Sequence, residues 1–329
     1  MRKHLTGAQP EKELAPLIGQ RVSVRLHDGD GGYRDLLGEL ESPDSIRKKN
    51  GEIAFFDPAK IAALRVLVDS DFRAGTGAPL SMRIRDLEIA AAKTWPSNSV
   101  EIFGQWQIRI SKGFSYRANS VLPIGAPPFG EPASELPESI DYVISKYLEH
   151  KLDPVFHVSL PVHQELDDYL AKNGWESPYE ILVMVGDTRD LIYKEHQGEI
   201  IEASKLTQSW LGLQGDQSVN EILEGYPSKF IELKIANKAV AVGRLSIADG
   251  WGILTRIFVA EDKRRMGFGI AIVSEMARSA VAVGCNKLAL QVNSDNYEAV
   301  KLYEKMGFKV HHTYRYRKLV STMEPAGCC

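Results

Sequence analysis

Apolar and polar residues alternate through "QRVSVRL", with Val22, Val24 and Leu26 on one side, the two-residue period of a half-buried strand. Further short runs follow at "RDLLGELES", "GEIAFFDP" and "IAALRVL", separated by turn residues such as "GDGG" at 29–32. Strands this short and this closely spaced predict a small β-barrel over residues 16–70. Residues 1–15 show no period and read as a flexible tail. "SDFRAGTGAP" reads as a linker. The period then changes. Ile84, Leu87, Ala91 and Trp95 predict a helix that Pro96 stops. "EIFGQWQIRIS" and "SYRANSVLPIG" predict adjacent antiparallel strands. "LPESIDYVISKYLEHK" predicts an amphipathic helix, "DPVFHVSLP" a strand, "HQELDDYLAKNGW" a helix and "SPYEILVMVGD" a strand.

From about residue 190 come helical stretches at "ASKLTQSWLGL" and "SVNEILEGY". Strands follow at "KFIELKIANK", "AVAVGRLSIADG" and "GILTRIFVA", then a helix ending at Gly284. The strand "KLALQVN", the helix "NYEAVKLYEKMGF" and the strand "KVHHTYRYRK" complete the pattern. Two stretches rhyme. "ELDDYLAKNGWESPYEILVMV" and "EAVKLYEKMGFKVHHTYRYR" each run helix, glycine, aromatic, strand, a weak internal repeat. The copies differ at their strand-to-helix junctions. The first has the Pro-rich "APPFGEPASELP"; the second has "EDKRRMGFG".

Bulk properties narrow the function classes. The chain has 329 residues, a formal net charge of −3 and 44% hydrophobic residues, enough for two or three domains with real cores. The near-neutral charge argues against a general nucleic-acid binder. No apolar run approaches the ~18 residues of a membrane span. The N-terminal basic residues are not followed by an apolar run, so no secretory signal is read and a cytoplasmic location is expected. Cys285 falls in an apolar segment and reads as packing; Cys328 and Cys329 read as an exposed tail over 321–329. No second Cys/His cluster completes a metal site.

The junction "EDKRRMGFGIA" carries the chemistry. The first turn of a helix presents unpaired N–H groups with partial positive charge, on which a pyrophosphate can rest. Gly267 and Gly269 remove Cβ atoms from its path, and Arg264 and Arg265 add charge at the rim. Ile270, Val273, Met276, Ala277, Ala280 and Val281 supply one apolar face for the helix behind. A dinucleotide fold is a poor fit, because its third glycine position is occupied by Ile272. Downstream, Asn296 and Tyr303 stand seven residues apart, on one side of a helix and roughly 10 Å apart along its axis. Taken singly, Asn296 reads as an N-cap and Tyr303 as core. Together with the glycine turn they point to one ligand site.

On Arg264, Gly267, Gly269, Asn296, Tyr303 and the pair Gly307-Phe308, residues 230–318 resemble the acetyl-CoA-binding half of a GNAT (Gcn5-related) N-acetyltransferase. The first copy resembles a GNAT half that has lost its cofactor loop. The whole order resembles an actinobacterial group with an N-terminal SH3-like β-barrel, a degenerate half and an active half, some of whose members are associated with N-acetylglutamate synthesis and others with protein acetylation. The fold so implied is α/β (α+β): tandem GNAT-like mixed sheets flanked by helices, with a degenerate half at 80–188 and a catalytic half at 189–320.

The resemblance implies direct acetyl transfer from acetyl-CoA to an amine. It implies that Ile257 and Val259 pair with the pantetheine, with an oxyanion held by amides near Val259, and that Arg264, Arg265, Met266, Gly267, Phe268, Gly269, Ile270 and Asn296 hold the cofactor. Tyr303 would protonate the departing thiolate, its unperturbed pKa near ~10 being close to that of a thiol. No base is evident: Thr255 and Arg256 stand where relatives carry a glutamate, and Glu261 and Asp262 read as loop residues. The expected acceptor is a small-molecule amine, L-glutamate first, held where the halves meet by Arg256 and Arg117, with Arg244 and Asn119 as further candidates. Alternatives are a protein lysine or histone acetyltransferase, a non-catalytic acetyl-CoA sensor, or a nucleic-acid adaptor using the barrel. A homo-oligomer is possible; no metal, membrane or nucleic-acid partner is expected.

Overall fold

A computed structural model of the chain describes residues 2–3, 14–28, 31–48, 51–66, 77–113, 115–193 and 197–319. It divides into two units, residues 1–72 and 73–329. Cys328, Cys329 and most of the 70–79 linker lie outside the described residues.

The first unit is a six-stranded antiparallel sheet. Its strands are β1 (Arg2–Lys3), β2 (Arg21–His27), β3 (Tyr33–Ser42), β4 (Ser45–Arg47), β5 (Ile53–Phe55) and β6 (Ile61–Val66), in the order β1-β6-β2-β3-β4-β5. The predicted alternation holds: Val22, Val24 and Leu26 point inward with Leu40, Ile46 and Leu64. Two expectations change. Arg2 and Lys3 pair with β6, so the start of the chain is not wholly a tail. The sheet is also open, since β1 and β5 are its two edges and no ladder joins them among the described residues. Strand β5 pairs only with β4, over three residues. Strand β4 itself is too short to display a period, which hid it from the sequence.

The second unit is built on one eleven-stranded sheet. Helix α1 (Leu80–Thr94) precedes β7 (Ser99–Phe103), β8 (Trp106–Ile110) and β9 (Val121–Pro123). Helix α2 (Leu136–Glu149), β10 (Val155–Leu160), α3 (Gln164–Lys172) and β11 (Glu180–Asp187) complete the first half. The second half runs β12 (Glu199–Ala203), α4 (Gln208–Gln214), α5 (Asn220–Glu224), β13 (Ser228–Ile235), β14 (Lys238–Ala248) and β15 (Trp251–Val259). It ends with α6 (Phe268–Ala282), β16 (Lys287–Asn293), α7 (Tyr297–Met306) and β17 (Lys309–Lys318). "EIFGQWQIRIS" is a hairpin, β7 and β8, because Gly104 turns with a φ of 64°. The next predicted strand is only β9, preceded by one helical turn at Tyr116–Ala118.

Strand order explains how the halves join: β12-β13-β14-β15-β16-β11-β17-β10-β9-β8-β7. Each half contributes a parallel pair, β9 with β10 and β15 with β16. Between those pairs the last strands interleave, β17 lying between β10 and β11. Asp167 of α3 clamps the interleaved strand, accepting from Arg317 at 2.7 Å and Arg315 at 2.9 Å. Both arginines come from the alternate positions of "YRYR", whose tyrosines face the other side.

Helices cover both faces. Leu254 joins the core that α6 packs on, and its neighbour Ile253 joins the core beneath α1. Helix α6 buries Ile272, Val273, Met276 and Ala277 completely. Each of the larger side chains is worth roughly 1.5–3 kcal/mol, so packing rather than capping fixes this helix. Helices α3 and α7 end alike. Gly174 and Gly307 take φ values of 81° and 101°, and the next amide reaches back five residues, Trp175 to Leu170 and Phe308 to Tyr303, both at 3.0 Å. This is the Schellman closure, and it aligns the two halves residue by residue.

Candidate active site

Strands β15 and β16 are paired only through Gly252, Ile253 and Leu254. Beyond Leu254 they part and leave a V. Just past that point β15 bulges: Val242 faces Phe258 and Arg244 faces Thr255, so Arg256 and Ile257 together oppose Gly243. Arg256 takes a φ of 54°, a costly conformation for a residue with a Cβ. Gly243 allows the close approach, since a Cβ there would lie 2.7 Å from the Met276 sulfur of α6. Ala260 N–H donates to the Val240 carbonyl. By the alternation of an antiparallel ladder, the backbone of Val259 then turns away from β14, toward the V.

At the mouth of the V stands the N-terminus of α6. Its N-cap is Gly267, with a φ of 87° and no side chain capping it. The first bond into the helix is Ala271 N–H to the Gly267 carbonyl, so the amides of Phe268, Gly269 and Ile270 precede the ladder. Nothing lies within 4 Å of where a Gly267 Cβ would be. Arg264, Arg265 and Met266 are exposed around this turn, and the Arg264 guanidinium lies 5.9 Å from the Phe258 ring. The two glycines do different work. Gly267 supplies the left-handed turn and an open approach. Gly269 lets α7 close in, because a Cβ on it would meet Leu302 Cδ1 at 2.9 Å.

Helix α7 carries the other two sequence candidates. Asn296 is its N-cap and accepts from the Ala299 amide at 3.2 Å, which occupies the side-chain oxygen with structure. Tyr303 is buried against Phe308, their rings 5.8 Å apart. Burial pushes its hydroxyl up to about 12, above the free-tyrosine value expected from sequence.

The V opens into a cavity of about 500 Å³. Thr255 and Arg256 of β15 and Gln291 of β16 line it from the second half; Trp95, Tyr116, Arg117 and Tyr179 line it from the first. Tyr314 and Tyr316 of β17 form its floor, and Tyr314 donates to Gln291 Oε1 at 3.1 Å. Arg117 and Arg256 therefore meet in one space, although Arg117 sits on a helical turn rather than a strand. Arg256 is paired with Asp216 at 3.1 Å. Arg117 lies 5.1 Å from the Trp95 ring and hydrogen-bonds Tyr314.

Arg244 and Asn119 are placed differently from the expectation. Arg244 is fully buried behind the wall, donating to the Thr94 carbonyl at 3.0 Å and to Thr255 Oγ1 at 3.4 Å, with its Nε unpartnered. Burial, and then Arg117, push its guanidinium down to about 9. Asn119 is not in the cavity: it accepts from the Ser111 amide and donates to the Ser115 carbonyl, pinning the turn that carries Arg117.

The profile of a family described as "Probable histone acetyltransferase Rv0428c C-terminal" matches residues 81–317. The chain belongs to that family. It is a GNAT-type N-acetyltransferase, and its relatives are named as acetyltransferases. An uncharacterized N-acetyltransferase, YobR, from Bacillus subtilis is 28% identical over 71% of this chain and 98% of its own length. The probable histone acetyltransferase Rv0428c of Mycobacterium tuberculosis is 26% identical over 92% of this chain and 95% of its own. Among solved structures, a GCN5-related N-acetyltransferase from Kribbella flavida shares the fold, with a TM-score of 0.59, 14% identity, and coverage of 74% of this chain and 96% of its own.

Within this GNAT pair the first half lacks the buried tyrosine, the asparagine cap and the open helix mouth of the second. By the matched helix ends, Leu170 stands where Tyr303 stands, and His163 where Asn296 stands. The loop after β9 folds onto itself: the Trp106 indole donates to the Phe129 carbonyl at 2.7 Å, and a Cβ on Gly125 would meet the Gly130 carbonyl at 2.5 Å. Sequence reading missed the aromatic lining of the acceptor cavity. One signal was present, since the two-residue period of "HTYRYR" puts Tyr314 and Tyr316 on one face. Trp95, Tyr116 and Tyr179 come from three separate loops or helix ends and carry no such signal.

Proposed function

We propose that the protein transfers the acetyl group of acetyl-CoA directly to the primary amine of a small acceptor that carries a carboxylate. The observation that carries the reading is the cavity at the foot of the V. Its described lining residues hold two arginines and no carboxylate. Arg244, just behind, has no counter-ion among the described residues. The open amides of Phe268, Gly269 and Ile270, with Arg264 and Arg265 at the rim, fit a diphosphate. The Val259 backbone facing the V fits an extended pantetheine arm, added like a strand.

In the reaction the amine nitrogen forms a bond to the thioester carbonyl carbon, the C–S bond breaks, and the sulfur takes a proton. Tyr303 is the donor. Its raised pKa keeps it fully protonated at neutral pH. Donation to an aqueous thiolate would be uphill, because a thiol has a pKa near ~8.5. The same burial also raises the sulfur's proton affinity, which offsets the difference. The amine must shed its proton to water, because the tyrosines of the cavity stay protonated: burial, and then neighbouring Tyr316, hold both Tyr314 and Tyr179 above the ordinary range, Tyr179 at about 12.

The resemblance to N-acetylglutamate synthases, and so to arginine biosynthesis, makes L-glutamate the first acceptor to test. Acetylation of protein lysine is the second reading, favoured by the name given to the Mycobacterium tuberculosis relative. Charge weighs against it here. An ammonium ~4 Å from an uncompensated guanidinium costs up to about 4 kcal/mol at an effective dielectric of ~20. Tyr303 weighs against a purely sensing role. Thiol release from acetyl-CoA, followed with amino acids and with a lysine-rich peptide, tests the reading. Release with amino acids and not with the peptide supports it; the reverse overturns it.

A further inference from the structure

The cavity's uncompensated cations gather at the Trp95 ring while three tyrosines line another part of it, and that division selects within the class of acceptors proposed above. Arg117 and Arg244 flank the Trp95 ring, their guanidinium carbons 5.1 and 5.9 Å from its centroid. Neither has an ion-pair partner among the described residues. Thr255 Oγ1 accepts from Arg244 at 3.4 Å, which leaves the threonine proton free to donate into the cavity. Among the described residues this corner lacks an anion, and a carboxylate would supply one. The third cation, Arg256, already has Asp216 at 3.1 Å. A second carboxylate would therefore find no uncompensated partner.

Tyrosines line another part of the cavity, beside Ser115 and Gln291. The centroids of Tyr116 and Tyr316 are 5.3 Å apart, those of Tyr116 and Tyr179 6.4 Å, and those of Tyr179 and Tyr316 6.1 Å. The Tyr179 and Tyr316 planes cross at 83°. Three rings with tilted and edge contacts make a wall against which a further ring can pack at 4.5–7 Å spacing. A carboxylate placed there would lose water, and the cation beside Tyr116, Lys318 at 6.0 Å from the ring, is already held by Asp153 at 2.7 Å.

We propose that the acceptor is an α-amino acid, or a close analogue, with one carboxylate and an aromatic side chain. Its carboxylate lies on Arg117 and Thr255, backed by the charge of Arg244. Its ring lies among Tyr116, Tyr179 and Tyr316, and its amine points to the parting of β15 and β16. This rests on the reading of the site as a small-acceptor acetyltransferase.

The test is a set of kcat/KM values for L-phenylalanine, L-tyrosine, L-glutamate, phenethylamine and a lysine-rich peptide with the full-length protein. The aromatic amino acids should exceed L-glutamate by tenfold or more, and phenethylamine, lacking the carboxylate, should fall a hundredfold below L-phenylalanine. Arg117→Gln should raise KM for L-phenylalanine tenfold and leave KM for acetyl-CoA unchanged. Tyr179→Ala should shrink the phenylalanine-to-glutamate ratio, with calorimetric acetyl-CoA binding as the check that the fold survives. L-Glutamate as the better acceptor, or phenethylamine equal to L-phenylalanine, overturns this inference alone. Turnover of the peptide only, or of nothing while acetyl-CoA still binds, overturns the small-acceptor reading with it.

Discussion

The two halves of the large sheet end their helices alike, and yet only the second keeps an open helix mouth. Helices α3 and α7 both close with a left-handed glycine and an aromatic whose amide reaches back five residues. That shared geometry makes the differences interpretable. Where the second half has Tyr303, the first has Leu170, fully buried. Where the second has open amides behind Gly267, the first has a loop whose glycines are spent on self-contact, with Gly125 pressed against the Gly130 carbonyl. The fold was kept in both copies; the helix mouth was kept in one. The silent copy instead supplies Trp95, Tyr116, Arg117 and Tyr179 to the cavity wall.

The strongest way to break this contrast is at the aligned pair. Tyr303→Phe keeps the ring and removes the proton donor, so kcat should fall by about 10²–10⁴ with KM for acetyl-CoA little changed. Leu170→Ala should leave kcat within a few-fold and instead cost about 2–5 kcal/mol in a denaturant titration. A Tyr303→Phe enzyme with normal kcat would remove the distinction. The interleaving of the halves is tested at Asp167. Burial opposes its charge, but Arg317 and Arg315 hold its carboxyl below the usual range. Asp167→Ala leaves Arg317 without its carboxylate and Arg315 with Glu180 alone, and should cost about 3–5 kcal/mol; a loss under 1 kcal/mol would show that the clamp is not needed.

A smaller effect is expected at the helix mouth. Gly267→Ala forces a left-handed φ on a residue with a Cβ, a strain of roughly 1–2 kcal/mol, and should weaken acetyl-CoA binding about tenfold. Gly130→Ala, in the equivalent loop of the silent half, should change stability and not affinity. The gentlest probe is acid. Glu88 bridges His157 and His312 beneath the seam, at 3.2 and 2.8 Å. Burial, opposed by Glu88, pulls His157 down to about 4, while the histidines hold Glu88 below the usual carboxylate range. The unfolded chain takes up protons first on both counts, so stability is present above pH ~6.5 and is lost as pH falls toward 4. The denaturation midpoint should drop across that window and drop further in Glu88→Gln, which removes the carboxylate that supports a protonated His157. A flat profile would deny the coupling.

Much of this was legible in sequence because it is local. Strands β13 to β17, α6, and the pair Gly267 and Gly269 follow from periods of two and 3.6 and from the demands of a helix mouth, whereas β12 was not read from the sequence. Three things were not local. The interleaving of β11 and β17 depends on pairing partners far apart in the chain, which alternation cannot name. The bulge at Arg256 shows only as a register shift against β14. The aromatic wall takes Tyr116 and Tyr179 from separate stretches to join Tyr316, and Trp95 reads in sequence only as a helix-face residue. Asn119 and Arg244 were drawn into the acceptor site by their strands; the structure gives one to a turn and hides the other behind Thr255. Nor could sequence show that burial raises Tyr303 from the value that made it attractive as an acid.

Calorimetric titration of acetyl-CoA into the wild-type protein and into a variant carrying Arg264→Ala, Arg265→Ala and Gly267→Val puts the central claim to its most direct test. One molecule should bind per chain, and the triple variant should lose the heat of binding while keeping its circular dichroism spectrum and melting transition. Two molecules per chain, or undiminished binding in the folded variant, would contradict the assignment of the carrier to the mouth of α6.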